Sequence, residues 1–438
     1  MYRSAMDSLH EWKNSRNRKP LLVSGARQVG KTWLMKEFGN REYEKTAYIN
    51  FDNNERMAAL FQGDLAIERI ITALQIEAET TIDPAKTLII FDEVQEVPRA
   101  LTSLKYFSEN SPEYHIVSAG SMLGVAMHPG TSFPVGKVDF LDLAPLDFTE
   151  FLRAMGHEEL VKLLKDKDFK LITAFKGRYI DLLKQYFFIG GMPEVVNSFA
   201  QEKDFAMARN IQKRLLDAYE QDFSKHAPNQ TVPRIRMLWQ SLPSQLAKEN
   251  RKFIYKLIRK GARAREYELA MAWLSDCGLI HPVNRVSKPN TPLAAYKDPG
   301  AFKLFLLDVG LLSAASDLDI KTLLEGNRIF EEFKGALTEQ FVLQQLVSQG
   351  KVKPYYWSAD KGTAEIDFVL QFNGNIVPLE VKASENLQAK SLKTFCQKYK
   401  PEKAFRVSVS DYRNEEWLTN LPMYAINILP ELMSEQGR

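Results

Sequence analysis

The octapeptide Gly25-Ala26-Arg27-Gln28-Val29-Gly30-Lys31-Thr32 constrains this chain more than any other stretch. It fits the phosphate-loop pattern G-x-x-x-x-G-K-[ST] at every fixed position. The apolar run Leu21-Leu22-Val23 before it reads as a buried strand. Trp33-Leu34-Met35-Lys36-Glu37-Phe38 after it reads as the start of a helix. Such a strand–loop–helix unit turns backbone N–H groups inward around phosphate oxygens, and the helix N-terminus adds partial positive charge. Lys31 is expected to reach the β- and γ-phosphates of ATP, and Thr32 to ligate Mg²⁺.

A second segment supports the first. Leu88-Ile89-Ile90-Phe91-Asp92-Glu93 is an apolar strand ending in two acids, at a distance that suits a neighbouring strand of the same sheet. Asp92 is expected to hold Mg²⁺ through its water shell, and Glu93 to orient and deprotonate the attacking water. A third element is Ser118-Ala119-Gly120-Ser121, after a strand at Tyr114–Val117. A polar side chain there would sense the γ-phosphate, with Ser121 the first candidate and Ser118 the second. The alternative is an ordinary polar turn.

Composition bounds the rest. Hydrophobic residues make up 45% and charged residues 26% of 438, values of an ordinary globular protein. No apolar run reaches the roughly 18 residues a membrane helix needs, and the N-terminus lacks the apolar core of a secretory signal. Cys277 and Cys396 are too few and too far apart for a disulfide framework or a zinc site, so a cytoplasmic location is expected. A net charge of +3 does not by itself argue for nucleic acid, so its local distribution matters more.

Residues up to about 155 alternate apolar runs with helical stretches, the pattern of a parallel sheet with helices on both faces. Strands are expected at Leu21–Ser24, Ala47–Phe51, Leu88–Phe91 and His115–Ser118, with Asp139–Leu143 as a fifth. Residues 156–225 read as helical, with Gly190-Gly191-Met192-Pro193 marking a turn between helices. Several short helices follow, then a strand at Phe302–Leu307. A helix around Phe333–Ser348 and strands at Tyr355–Trp357, Ile366–Phe372 and Ile376–Val381 complete the chain.

These segments together resemble the prokaryotic AAA-type ATPases that combine a P-loop domain, a winged helix and a C-terminal domain of unknown function. The resemblance rests on the phosphate loop, on Asp92-Glu93-Val94-Gln95, on Gly120-Ser121, and on Pro145-Leu146-Asp147-Phe148-Thr149-Glu150-Phe151. Gly190-Gly191-Met192-Pro193-Glu194 and Glu365-Ile366-Asp367-Phe368-Val369 continue it. It implies an α/β multidomain chain: an ATPase domain over 1–155, a helical lid over 156–225, a winged helix over 226–315 and a nuclease-like α/β domain over 316–438. Much of this family carries Gly-Arg before the Pro-Leu-x-Phe stretch, where the arginine is a candidate finger. This chain has Gly136-Lys137, and lysine lacks the bidentate fork.

Lys248, Arg251, Lys252, Lys256, Arg259, Lys260, Arg263 and Arg265 crowd within eighteen residues. Phe253, Ile254, Leu257 and Ile258 recur between them at helical spacing. A new helix is expected from about Arg263 to Asp276, with Tyr267, Leu269, Met271, Ala272, Trp273 and Leu274 available for a core. Helix, turn, helix and β-wing is the order of a winged helix. Arg263 and Arg265 would then meet a DNA major groove, and the preceding cations would meet phosphates. The alternative is a solvated basic face used for protein contacts.

Further on, Glu365-Ile366-Asp367 and Glu380-Val381-Lys382 read as paired strands, with Asn373-Gly374 as the hairpin turn. Glu380 and Lys382 share one face, and Glu339 on the preceding helix is a fourth candidate. This constellation resembles the PD-(D/E)xK nuclease fold, in which two carboxylates and a lysine around a second divalent metal at Asp367 and Glu380 activate water. The leading expectation is an ATP-binding, ATP-hydrolysing protein that couples nucleotide state to a DNA-directed C-terminal half. The alternatives are a metal-dependent DNA nuclease regulated by ATP, and a nucleotide switch that binds a DNA or protein partner without processing it. Membrane partners are not expected, and an oligomer is left open.

Overall fold

A computed structural model describes residues 1–120, 134–246, 252–319, 334–360, 363–383 and 389–435. The chain divides into two compact units, one holding Tyr2–Ala144 with Asp276–Gly278, the other Met1, Pro145–Ser275 and Leu279–Arg438.

The first unit is built on β1 (Leu21–Ser24), β2 (Lys45–Asn50), β3 (Thr87–Asp92), β4 (His115–Ala119) and β5 (Asp139–Asp142), all parallel, in the order β2-β3-β4-β1-β5. One face of β3 turns Ile89 and Phe91 into a core shared with α3 (Glu55–Gln62), α4 (Ile67–Glu77) and α5 (Pro98–Asn110). The helix after the phosphate loop, α2 (Lys31–Glu42), packs on the opposite face, where its Gly39 lies against Leu88. Helices therefore cover both faces, and each large side chain buried this way stabilises the unit by roughly 1.5–3 kcal/mol. One expectation is corrected. The strand bearing Asp92 is not a neighbour of the loop's strand, because β4 lies between β1 and β3. The two sites still meet because α2 leaves the loop, crosses β4 and packs over β3 and β2.

The second unit opens with α6 (Phe148–Ala154), started by a capping box between Asp147 and Glu150. Then come α7 (Glu158–Lys165), α8 (Phe169–Ala174), α9 (Lys176–Ile189), α10 (Pro193–Glu202) and α11 (Phe205–His226). The turn between α9 and α10 is a tight joint. Gly190 has φ 74°, and the Gly191 carbonyl accepts from the Leu146 N–H at 2.7 Å. A Cβ on Gly191 would sit 2.1 Å from the Leu146 carbonyl oxygen. The Gly191 N–H donates to Asp308 at 2.6 Å, which also accepts from Gln344 at 2.9 Å. Tyr186 donates to the Leu146 carbonyl at 2.5 Å, and Gln345 accepts from the Phe148 N–H at 2.7 Å. These bonds satisfy the N–H and carbonyl of Leu146 and the N–H of Phe148 in a buried place.

Next are α12 (Val232–Leu246), the single turn α13 (Tyr255–Ile258) and α14 (Ala264–Asp276), followed by the antiparallel hairpin β6 (Ile280–Val286) and β7 (Lys297–Leu306). Two readings of this region are corrected. The stretch around Phe253 to Ile258 is not an amphipathic helix. The Phe253 N–H donates to the Phe302 carbonyl at 2.8 Å, and Gln245 holds both the N–H and the carbonyl of Ile254 at 2.9 Å, so Phe253 and Ile254 are extended and only the single turn Tyr255–Ile258 is helical. On α14, Tyr267, Ala270, Trp273 and Leu274 are buried, whereas Leu269 is 73% exposed and Ala272 is exposed. A 3.6-residue period brings i, i+3 and i+7 to one face and sends i+2 and i+5 away.

The hairpin does not end in a free wing. β6 pairs in parallel with β8 (Tyr355–Ser358), and an eight-stranded mixed sheet continues through β9 (Glu365–Phe372), β10 (Asn375–Val381), β11 (Phe405–Ser408), β13 (Thr419–Pro422) and β12 (Arg413–Asn414). The β9–β10 hairpin turns at Asn373 and Gly374, both at positive φ, as a two-residue loop of this type requires. Helix α15 (Val309–Ala315) follows β7. Helices α16 (Lys334–Ser348) and α17 (Lys390–Tyr399) pack on the sheet. Neither Cys277 nor Cys396 is in a disulfide among the described residues. Among the described residues no helix is long and apolar enough to cross a membrane.

Candidate functional site

The phosphate loop lies between β1 and α2, with Gly25 at φ 135°, Gln28 at φ 64° and Gly30 at φ 94°. Gly25 has no room for a side chain, since an added Cβ would lie 2.3 Å from the Leu143 carbonyl oxygen. Arg3, almost fully buried, pins the loop from behind by donating to the Val29 carbonyl at 2.9 Å and the Ala144 carbonyl at 2.6 Å. Ala26 and Val29 are buried, while Arg27 and Thr32 are half-buried and Gln28 is exposed. The Lys31 ammonium donates to the carbonyls of Gly25 and Ala26 at 2.9 and 2.8 Å. Burial brings it down to about 8, against the opposing pull of Glu93 and Asp92 and with a small push from Arg27.

The loop and the acidic strand end converge. Thr32 Oγ1 donates to Asp92 Oδ2 at 2.8 Å, and Tyr48 from β2 donates to the same oxygen at 2.9 Å. Burial, then the Asp92 carboxylate, hold the Tyr48 phenol above its ordinary range, so it stays a donor. The Lys36 ammonium lies 3.6 Å from the Tyr48 ring centroid. Glu93 is left-handed at φ 52°, and its carboxylate accepts from Gln95 at 2.5 Å. A hydroxyl and a carboxylate in contact, beside a lysine on a glycine-containing loop, are donors of the kind that a magnesium–polyphosphate needs.

The remaining candidates fall differently. Ser121 lies outside the described residues. Ser118 is fully buried inside β4, between Leu22 and Phe91 of the flanking strands, and its hydroxyl has no hydrogen-bond partner among the described residues. Lys137 is paired with Glu109 at 2.9 Å, and that bond holds the Glu109 carboxyl below its usual range. Arg263 and Arg265 are exposed at the start of α14, with Lys256, Arg259 and Lys260 exposed before it. Arg259 pairs with Glu266 at 3.4 Å. Lys248 and Arg251 lie outside the described residues.

In the second sheet the acids separate into two groups. Asp367 accepts from the Val381 N–H at 2.8 Å. Glu339 and Asp367 face a lysine that sequence reasoning missed: Lys303 Nζ lies 3.4 Å from Glu339, 2.6 Å from Glu365 and 3.9 Å from Asp367. Burial and the Glu339 charge push the Asp367 carboxyl well above its ordinary range, with Lys303 opposing. Burial alone would lower Lys303, but the carboxylates of Glu339, Asp367 and Glu365 more than reverse this and leave it raised. Glu380 pairs instead with Lys382, at 2.7 Å. Among the described residues no group of three or more His, Cys, Asp or Glu is placed to hold a metal ion.

Tyr48, Gln95, Arg3 and Lys303 were the members not picked out as site residues from sequence. Gln95 stands in the Asp92-Glu93-Val94-Gln95 run, and Lys303 is a lone cation inside the apolar run Ala301 to Leu307.

Residues 17–152 match the model of a family described as an AAA domain, and this region has the parallel sheet and phosphate loop of the P-loop fold. Residues 180–322 and 334–426 each match a family described as a domain of unknown function. No curated protein matches. Among solved structures the chain is similar to the Walker-type ATPase PABY2304 of Pyrococcus abyssi, with 14% identity and a TM-score of 0.44, over 71% of this chain and 94% of that one. It is also similar to the Aeropyrum pernix ORC1 protein, solved in complex with DNA, with 13% identity and a TM-score of 0.27, over 72% and 90%. Cdc6p from Pyrobaculum aerophilum follows, with 10% identity and a TM-score of 0.25, over 73% and 93%. These likenesses are too slight to bear on function.

Proposed function

We propose that this protein hydrolyses Mg²⁺–ATP at Gly25–Thr32 and couples nucleotide state to a DNA-directed C-terminal half. The observation that carries the reading is the 2.8 Å contact of Thr32 with Asp92, flanked by Lys31 and Glu93. Loop N–H groups and Lys31 would bind the phosphates, and Glu93 would take the proton of the water that attacks the γ-phosphorus as the bond to ADP breaks. Mg²⁺, held by Thr32 and Asp92, would neutralise charge on the phosphate oxygens. Tyr48 orients Asp92, and Gln95 orients Glu93.

The exposed face of α14, with Arg263, Arg265 and the cations before it, supports DNA as the partner, on a helix-and-hairpin order of winged-helix type. The α16 and β8–β10 arrangement is consistent with a nuclease-like fold in the same half.

The test is ATP turnover with and without duplex and branched DNA. Glu93→Gln should lower kcat by roughly 10²-fold or more while leaving nucleotide binding, and Lys31→Ala should remove binding. Turnover unchanged in both variants rejects the reading. Arg263→Ala and Arg265→Ala should each weaken DNA binding and flatten its salt dependence by about one unit of slope where a phosphate contact is lost. An affinity flat with salt in the parent chain would exclude phosphate contacts.

A second reading, a nucleotide switch that does not process its partner, is favoured by Lys137, which is engaged with Glu109 on its own chain. Tight nucleotide binding with slow turnover, unaffected by Lys137→Ala, would select it.

A further inference from the structure

Lys303 is only 1% exposed, in the middle of β7. A buried ammonium persists only when paired, and three carboxylates from two elements supply the pairing: Glu339 of α16, and Glu365 and Asp367 of β9. The Tyr356 ring, 5.2 Å away, covers a further side of the ammonium. Lys303 cannot easily leave, because its backbone is laddered to Val283 in β6 and bridged to Lys252.

The nuclease resemblance calls for a divalent ion between Asp367 and Glu380. A hard cation such as Mg²⁺ demands near-octahedral oxygens at about 2.0–2.1 Å and tolerates no ammonium among its ligands. Here the ammonium stands where the acids converge, and Glu380 is turned to Lys382. Among the described residues one buried Glu380 oxygen has no hydrogen-bond partner, but a single oxygen does not make a coordination sphere. The residues present do not fit the metal.

We infer that the acidic site of the C-terminal sheet is neutralised from within by Lys303 and takes no divalent metal, so it is not a metal-dependent hydrolytic centre. This rests on the surroundings of Lys303 and is independent of whether the first unit hydrolyses ATP.

The experiment is Mn²⁺ titration by electron paramagnetic resonance on the full chain, nucleotide-free and carrying Asp92→Asn so that the phosphate-loop site is silent. With Lys303 present, bound Mn²⁺ should be the same with and without Asp367→Asn. With Lys303→Met, one Mn²⁺ per chain should be gained and then lost again on adding Asp367→Asn. Mn²⁺ held by the Lys303-containing chain and released by Asp367→Asn would overturn the inference, and so would a folded Lys303→Met chain that gains no ion. Circular dichroism checks folding. If Lys303→Met does not fold, the Asp367 comparison in the Lys303 chain decides alone.

Discussion

At the residue scale, Lys31 carries a testable electrostatic consequence. Its ammonium, brought down to about 8 by burial, is partly neutral in the free loop at mildly alkaline pH. A bound polyphosphate adds negative charge and restores the protonated form. Binding therefore takes up protons above about pH 8, and ATP affinity falls as pH rises through that point. Calorimetry in two buffers of different ionisation enthalpy measures the uptake. Equal heats in both buffers would mean that Lys31 does not meet phosphate. The roles of Lys31, Thr32, Asp92 and Glu93 were legible because each motif is local in sequence. Tyr48 was not. Tyr48 finds Asp92 only through the pairing of β2 with β3, and no local pattern announces which strands pair.

At the element scale, the joint between α9 and α10 is the most constrained turn. Gly191→Ala would place a methyl 2.1 Å from a backbone oxygen, where the neighbour cannot rotate away. The variant should lose roughly 1–3 kcal/mol, read from urea unfolding, and an unchanged midpoint would mean the Leu146 segment does not pack there. The Gly-Gly-Met-Pro run announced a turn, but not that its second glycine is packed against a carbonyl forty-five residues earlier in the chain. Helix α14 shows the opposite case. Its span is legible from the sequence, whereas the exposure of Leu269 depends on the phase of the helix against its core face. Leu269→Ala should leave stability within about 0.5 kcal/mol, while Tyr267→Ala, which empties a buried site, should cost roughly 3–5 kcal/mol.

At the scale of the whole molecule, nucleotide must stabilise the unit that binds it. At a free concentration about 100 times Kd the gain is about 2.7 kcal/mol. Scanning calorimetry should show it as a raised transition with Mg²⁺–ADP that Lys31→Ala abolishes, and no shift in the parent chain would reject nucleotide binding. The second unit takes in the expected helical lid, winged helix and nuclease-like domain, and β6 and β7 are strands of the same eight-stranded sheet as β9 and β10. Strand segments can be read from alternation, but a parallel partner such as β8, seventy residues beyond β6, leaves no trace in either strand. The isolated bridge between Lys252 and Lys303 now gains meaning. Lys303 is spoken for at both ends: its main chain is stitched to the first described residue of the basic stretch, and its side chain is clasped by Glu339, Glu365 and Asp367. No slack separates the two, so the cationic surface is anchored, one residue deep, to the acids beneath it.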